Sequence, residues 1–295
     1  MTQVPVTRRR QRAAAQPPHT VEDFSNGRNA VKPKPKGKVK QTMKRTTSKP
    51  AARWIIAILA GAFCVLALAP MALGKASDRG VLPVNSSPYG LTYAEWSAAH
   101  WQWLFSLPMD QHPLNDTADV SEGQTGQVWF LGGTFSSSEL EPGVYLSEVT
   151  RDCEIPRGKA LFFPLVDVEA SIIEEMGGNE EELRDVANWL ADLIVPESLF
   201  CEVDGRAVQN LADFRVESPL FTIGPLPENN VIESWGYEAP PGTTSQAVSD
   251  GYFVMLAPLP VGTHTLHFGG TLDASAELGF IFMLDITYNT TVVAK

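Results

Sequence analysis

The chain has 295 residues and a net charge of −11, and that charge is divided unevenly. Residues 1–53 carry 14 Lys/Arg against Glu22 and Asp23, a balance of +12, while the rest carries 9 Lys/Arg and 32 Asp/Glu, a balance of −23. An acidic part of that strength repels phosphates, which excludes nucleic acid as its partner, and the apolar content places a core only after roughly the first 75 residues.

Residues 1–53 hold an Arg cluster (Arg8, Arg9, Arg10, Arg12) and the run Lys32-Pro-Lys-Pro-Lys36. With almost nothing apolar to bury, they read as a disordered basic tail. Trp54 to Leu73 comes next as 20 residues without a charge, the length that crosses a bilayer as a helix. A tail of 53 residues is too long for the basic region of a secretory signal. Read from Met43, however, the segment has a basic start (Lys44, Arg45, Lys49, Arg53), an apolar centre, Pro70, and the small residues Ala72 and Gly74 before a cleavage point. That pattern is a signal peptide over 54–74 with translation starting at Met43. The competing reading is an uncleaved single anchor, with membrane contact through residues 54–73 alone. Both readings export the remainder of the chain, a linker over 75–88 and a domain over 89–295, making it periplasmic or secreted.

The domain opens on a helix. Thr92 and Glu95 form a capping box, Pro108 closes the segment, and Tyr93, Trp96, His100, Trp103, Leu104 and Leu107 recur on one face. Trp101 and Phe105 lie off that face, which predicts a helix wedged between other elements. Two readings compete for its polar groups. Glu95, Trp96, His100 and Trp103, joined by Trp235 from a later loop, could line a groove for carbohydrate or another envelope component. The simpler expectation is that the helix packs onto a sheet with its polar tips hydrogen-bonded. The loop after it gathers Asp110, His112, Asp116, Asp119 and Glu122, oxygen ligands of the kind calcium takes, but without EF-hand spacing. No metal site and no cofactor are assigned.

Strand signals appear at 127–135, 151–155 and 160–166, with Arg157-Gly-Lys159 as a turn and Pro164 marking an edge strand or a bulge. Asn179 and Glu182 start a second helix whose stripe runs through Leu183, Val186, Ala187, Leu190 and Ile194. Asp204-Gly205 predicts a two-residue hairpin turn. Residues 225–249 read as a long loop of the kind that binds or covers a ligand. Phe280 to Val292 is the clearest strand, with its even positions buried. The sum is a mainly β fold, a jelly-roll-like sandwich with two helices.

Few residues promise chemistry. Cys153 and Cys201 are an even number in an exported domain, and are expected to form a disulfide. His264 and His267 stand three apart on a strand, so they point to opposite faces and cannot share a metal. No metalloprotease, nucleophile-elbow, phosphate-loop or dinucleotide motif occurs. Asp167 with Glu169, or Asp285 with Glu95, are the carboxylate pairs that could serve a glycosidase.

The segments Tyr89-Gly-Leu-Thr-Tyr-Ala-Glu-Trp-Ser97, Trp101-Gln-Trp103, Val128-Trp-Phe-Leu-Gly-Gly-Thr-Phe135, Ile155-Pro-Arg-Gly-Lys-Ala-Leu-Phe-Phe-Pro164 and Leu259-Pro-Val-Gly-Thr-His-Thr-Leu-His-Phe-Gly269 together resemble a family of exported bacterial proteins with no assigned activity. The resemblance spans 89–293 and implies a prokaryotic exported protein; it carries no catalytic residues. The expected function is an exported binding or structural domain of the cell envelope, with a carboxylate-dependent polysaccharide hydrolase as the alternative.

Overall fold

A computed structural model describes residues 80–294. The basic tail, the apolar run, the Met43 start and the beginning of the linker lie outside the described residues. Among those described, no helix is long and apolar enough to cross a membrane.

In chain order the strands are β1 (Val128–Phe130), β2 (Ser138–Glu141), β3 (Val144–Pro156), β4 (Ala160–Ser171), β5 (Ile194–Val203), β6 (Arg206–Ala207), β7 (Arg215–Glu217), β8 (Phe221–Ile223), β9 (Ser245–Leu256), β10 (Gly262–Ala274) and β11 (Phe280–Val293). Three helices accompany them: α1 (Tyr93–Phe105), α2 (Glu180–Ala191) and the single turn α3 (Val231–Ser234). The protein is mainly β, with two sheets. Sheet I has the order β1-β4-β9-β7, with β8 also on β9; sheet II has the order β2-β3-β11-β10-β5-β6. The pairs β1/β4 and β3/β11 are parallel.

Local rules account for much of this. The turn between β5 and β6 takes positive φ at Asp204 (53°) and Gly205 (71°), a geometry only Gly, Asn and Asp adopt cheaply. Along β11, Ile286, Tyr288, Thr290 and Val292 are buried while Asn289 is exposed, the period-2 pattern of a strand with one face on a core. That core takes Leu161, Phe163 and Val254 from sheet I and Leu266, Phe268, Ile286 and Tyr288 from sheet II. The Phe163 and Phe268 rings meet across it at 4.4 Å. At Gly269 the strands come so close that a Cβ would lie 1.9 Å from the Leu284 carbonyl oxygen, so no larger residue fits.

α1 lies on the other side of sheet I. Thr92 and Glu95 form the expected capping box, and Tyr93, Trp103 and Leu104 pack on Phe162, Phe253 and Met255. The Tyr93 hydroxyl donates to the Leu82 carbonyl at 2.6 Å and accepts from the Met255 amide at 3.0 Å, pinning the start of the domain to β9. α2 is capped by Asn179 and lays Leu183 and Ala187 on Ala170 and Val248.

Several expectations change. The strands read at 151–155 and 160–166 belong to different sheets, β3 to sheet II and β4 to sheet I, so the turn 157–159 carries the chain between sheets. Ile194 belongs to β5, paired with Leu272, rather than to the stripe of α2. The loop 225–249 is shortened by α3 and by β9 starting at Ser245. The Cys153–Cys201 disulfide is not formed. Cys153 is on β3 and Cys201 on β5, with β11 and β10 between them. Three strand spacings are about 14 Å, twice the Cα separation a disulfide can bridge. Burial, reinforced by the neighbouring Asp152, pushes the Cys153 thiol up to about 12, which leaves it unreactive.

Candidate functional site

The groove residues expected on α1 are engaged in packing and capping. Glu95 accepts from the Thr92 amide at 2.8 Å and from its hydroxyl at 2.9 Å, and these bonds hold its carboxyl below the usual range. Trp96 Nε1 donates to the Pro88 carbonyl at 2.9 Å, and Trp103 Nε1 to the Glu122 carbonyl at 3.0 Å. His100 is buried among the rings of Trp103, Phe130, Phe162 and Phe253. Its Nε2 donates to the Leu131 carbonyl at 2.9 Å, and burial lowers its pKa to about 4, so it is neutral at ordinary pH. Glu95 and Asp285 do not meet: Glu95 is at the start of α1, and Asp285 accepts from His267 Nε2 at 2.8 Å on sheet II. His264 and His267 point to opposite faces of β10, His264 binding Asp204 and the Pro260 carbonyl.

In the loop 110–122, Asp116 accepts from the hydroxyls of Thr134 and Ser136, and Asp119 accepts from the Ser121 amide. Among the described residues no group of three His, Cys, Asp or Glu side chains is placed to hold a metal ion.

Buried side-chain atoms without a hydrogen-bond partner among the described residues include His100 Nδ1, His112 Nε2, Trp129 Nε1 and Arg151 Nε, and three more, on Trp101, Asp167 and Glu169, belong to one region further along α1. Their placement begins at Pro164, which has no N–H to give the β4/β9 ladder; the register shifts between Pro164 and Val166. Before this bulge, Ala160 and Phe162 face α1 while Leu161 and Phe163 face sheet II. After it the faces exchange. Val166 joins the core between the sheets, and Asp167, Glu169 and Ser171 turn toward α1. Opposite them on β9 stand Gly251, Ser249 and Ala247. Ser249 Oγ lies 3.4 Å from Ser97 Oγ of α1, and Trp101 is one turn beyond Ser97. Gly251 is required here, because a Cβ would fall 2.5 Å from the Asp167 Cα.

Burial pushes the Asp167 carboxyl up to about 7, against a smaller downward pull from the Trp101 indole. Asp167 Oδ2 and Trp101 Nε1 are both sealed from solvent and complete no hydrogen bond among the described residues. Glu169 is 7% exposed, and Glu174, from the turn after β4, is 4% exposed. Burial first, and then Glu174, drives the Glu169 carboxyl well up; burial also raises Glu174, which accepts from the Ser171 hydroxyl. Two carboxylates cannot both ionise in so small a buried space, so the pair retains a proton. Beside this floor Trp101 stacks on Phe105 at 5.5 Å, and Phe105 meets the edge of the half-buried Trp235 at 6.2 Å. Of the expected residues, Trp235 lies along this aromatic row and His100 meets the edge of Trp101 at 6.4 Å.

Sequence reasoning paired Asp167 with Glu169 on one strand face. It missed Glu174, and it did not join Trp101, read as lying off the apolar face of its helix, to these carboxylates. No protein-family model matches the chain, and neither a curated protein nor a solved structure is similar to it at a significant level.

Proposed function

We propose that the domain is an exported ligand-binding domain of the cell envelope, holding a carbohydrate beside Trp101 and over Asp167. The observation that carries this reading is the pair of sealed, unmatched polar atoms Asp167 Oδ2 and Trp101 Nε1. Native proteins rarely leave such atoms unmatched without a functional reason. Both atoms are sealed in this arrangement, so a ligand hydroxyl reaches them once the Trp101 ring turns outward; it then accepts from the indole and donates to the carboxyl, while the Trp101–Phe105–Trp235 row offers ring surface to a sugar face. The resemblance to exported bacterial proteins and the signal-like segment 54–74 support the address. The core shared by the two sheets supports reading the fold as a β-sandwich, although its parallel pairs set it apart from an all-antiparallel jelly roll. Calorimetric titration with soluble envelope polysaccharide fragments tests the function. Binding that Trp101→Phe and Asp167→Ala both weaken supports it; equal affinity in the parent and both variants refutes the site.

A second reading, a carboxylate hydrolase acting on the same class of ligand, is favoured by the ionisation of Asp167 near 7, which suits a group that gives and takes protons at neutral pH. Release of reducing ends by the parent chain, lost in Asp167→Asn with binding retained, would select this reading. Binding without turnover leaves the first.

A further inference from the structure

The turn after β4 carries the second feature of this acidic floor. Ser171 ends the strand, and the chain doubles back so that the buried Glu174 carboxyl accepts from the Ser171 hydroxyl, two residues along the same strand face from the buried Glu169. We propose that Glu169 and Glu174 form a proton-held latch: one shared proton keeps the turn 172–178 closed over the end of sheet I, and loss of that proton to solvent opens it.

The two partners are unequal in a way that gives the latch a direction. Glu169 is fixed in the interior of the β4/β9 ladder, opposite Ser249. Glu174 belongs to a surface turn whose remaining ties are few. Ile172 donates to the Gln246 carbonyl and Ile173 to the Ser245 hydroxyl, while the Glu175 and Met176 amides return to Ile172 and Ser171 within the turn. Ile172 is 37% exposed, and Glu175 sits in the left-handed region at φ 58°, which a non-glycine residue occupies at a cost. Gly178 also donates to Glu182 at 2.8 Å and Met176 packs with Leu183 and Ala187 of α2, so the carboxyl pair is the tie of the segment that depends on a proton.

Among the described residues no cation acts on the pair. The groups around it are Asp167 and Ser171 on the same strand face, Ser249 on β9, and Ser97 and Trp101 on α1. The titratable groups acting on Glu169 are Glu174 and Asp167, and the one acting on Glu174 is Glu169. With a proton on Glu169, its O–H can donate to the Glu174 carboxylate, which also accepts from Ser171. When that proton leaves, two buried carboxylates face one another, and Glu169 Oε1 has no donor among the described residues. The accessible relief is for Glu174 to swing into water with its turn. Ile173 packs in the same apolar cluster as Trp101, so opening the turn also alters access to the proposed carbohydrate site. In that respect the inference builds on the proposed function, but its test reads the turn without any ligand.

Hydrogen exchange of the full chain, corrected for the intrinsic pH dependence of amide exchange, would follow 172–178 from about pH 5 to about pH 9. The expected result is a loss of protection of at least about tenfold in this segment, with the amides of β4 and α2 unchanged. Glu174→Gln and Glu169→Gln should each remove the response, because an amide cannot ionise and still supplies a donor to the remaining carboxylate. Asp167→Asn should retain it. A segment whose protection in the parent chain does not change with pH overturns the latch, whether or not the variants fold. A response that persists in both Gln variants, or that disappears only in Asp167→Asn, overturns it as well.

Discussion

The sharpest quantitative consequence concerns Asp167→Asn. In the folded chain the carboxyl ionises near 7 instead of at the ordinary 3.8. A raised carboxyl binds its proton more tightly in the native state, so its contribution to stability is fully present below about pH 4 and is lost as pH rises through 7. Moving a carboxyl over that interval corresponds to about 4 kcal/mol, and screening by water at this partly exposed residue sets the expected range at about 2–4 kcal/mol. The parent curve alone would not isolate this. Burial lowers His100 and His112 to about 4, and such groups raise stability as pH climbs from about 4 to 6.5, the opposite sign. The informative quantity is the difference between Asp167→Asn and the parent, because the asparagine variant keeps the histidines and removes the Asp167 ionisation together with its smaller repulsion of Glu169. Urea denaturation followed by tryptophan fluorescence would measure it at several pH values. Near pH 4 the two proteins carry a neutral side chain at this position and their difference sets the baseline. By about pH 8 the variant should have gained about 2–4 kcal/mol on the parent. A difference independent of pH, or one that moves the other way, would refute the account of Asp167 as a buried carboxyl with insufficient compensation.

Other variants probe the frame around the site. Arg215 donates to Asp250, whose side chain is 3% exposed, and also to Asp192, so Arg215→Ala should cost about 3–5 kcal/mol in denaturant melts by leaving a buried charge unpaired. Arg184→Ala, which breaks the more exposed pairs to Glu180 and Glu217, should cost about 1 kcal/mol or less in the same assay. A reductant should leave the melting temperature unchanged, because Cys153 and Cys201 are not joined; a clear fall on reduction would contradict the strand order of sheet II. Glu95→Gln should lower the melting temperature slightly by weakening the cap of α1 and leave polysaccharide binding or turnover unchanged; a selective loss of either would return Glu95 to the site.

The sequence announces its helices well because their signals are local. Thr92 with Glu95 and Asn179 with Glu182 act over three residues, and both caps form. The turn at Asp204-Gly205 is legible for the same reason. Pairings between distant strands are less so. A short link such as Arg157-Gly-Lys159 looks like a hairpin turn, yet it joins strands of different sheets, and the order β3-β11-β10-β5 separates two cysteines that composition alone would pair. The Trp-rich helix misleads in an instructive way. Aromatic and charged side chains on one helix face invite a groove, whereas Trp96, His100 and Trp103 find carbonyl partners within the packed domain.

The site itself was half legible, and the missing half is geometric. Alternation places Asp167 and Glu169 on one face of a strand, but without a bulge that assignment does not say whether the face is apolar or polar, because Phe163 shares their odd parity and lies in the core between the sheets. Pro164 carries the missing information. By omitting one donor it shifts the register, and a single extra residue turns the downstream odd positions from sheet II toward α1. The same strand can then contribute Phe163 to one core and Asp167 to a polar floor four residues later. Gly251 fits this geometry on the partner strand, leaving room where Asp167 comes close. The buried carboxyls thus depend on the bulge for their position, and a change that restored regular alternation through 164–166 would direct Asp167 and Glu169 into the apolar space between the sheets. That arrangement would strand two charges without even the serines and indole that now surround them, so the proline at 164 is part of how the chain tolerates its acidic site.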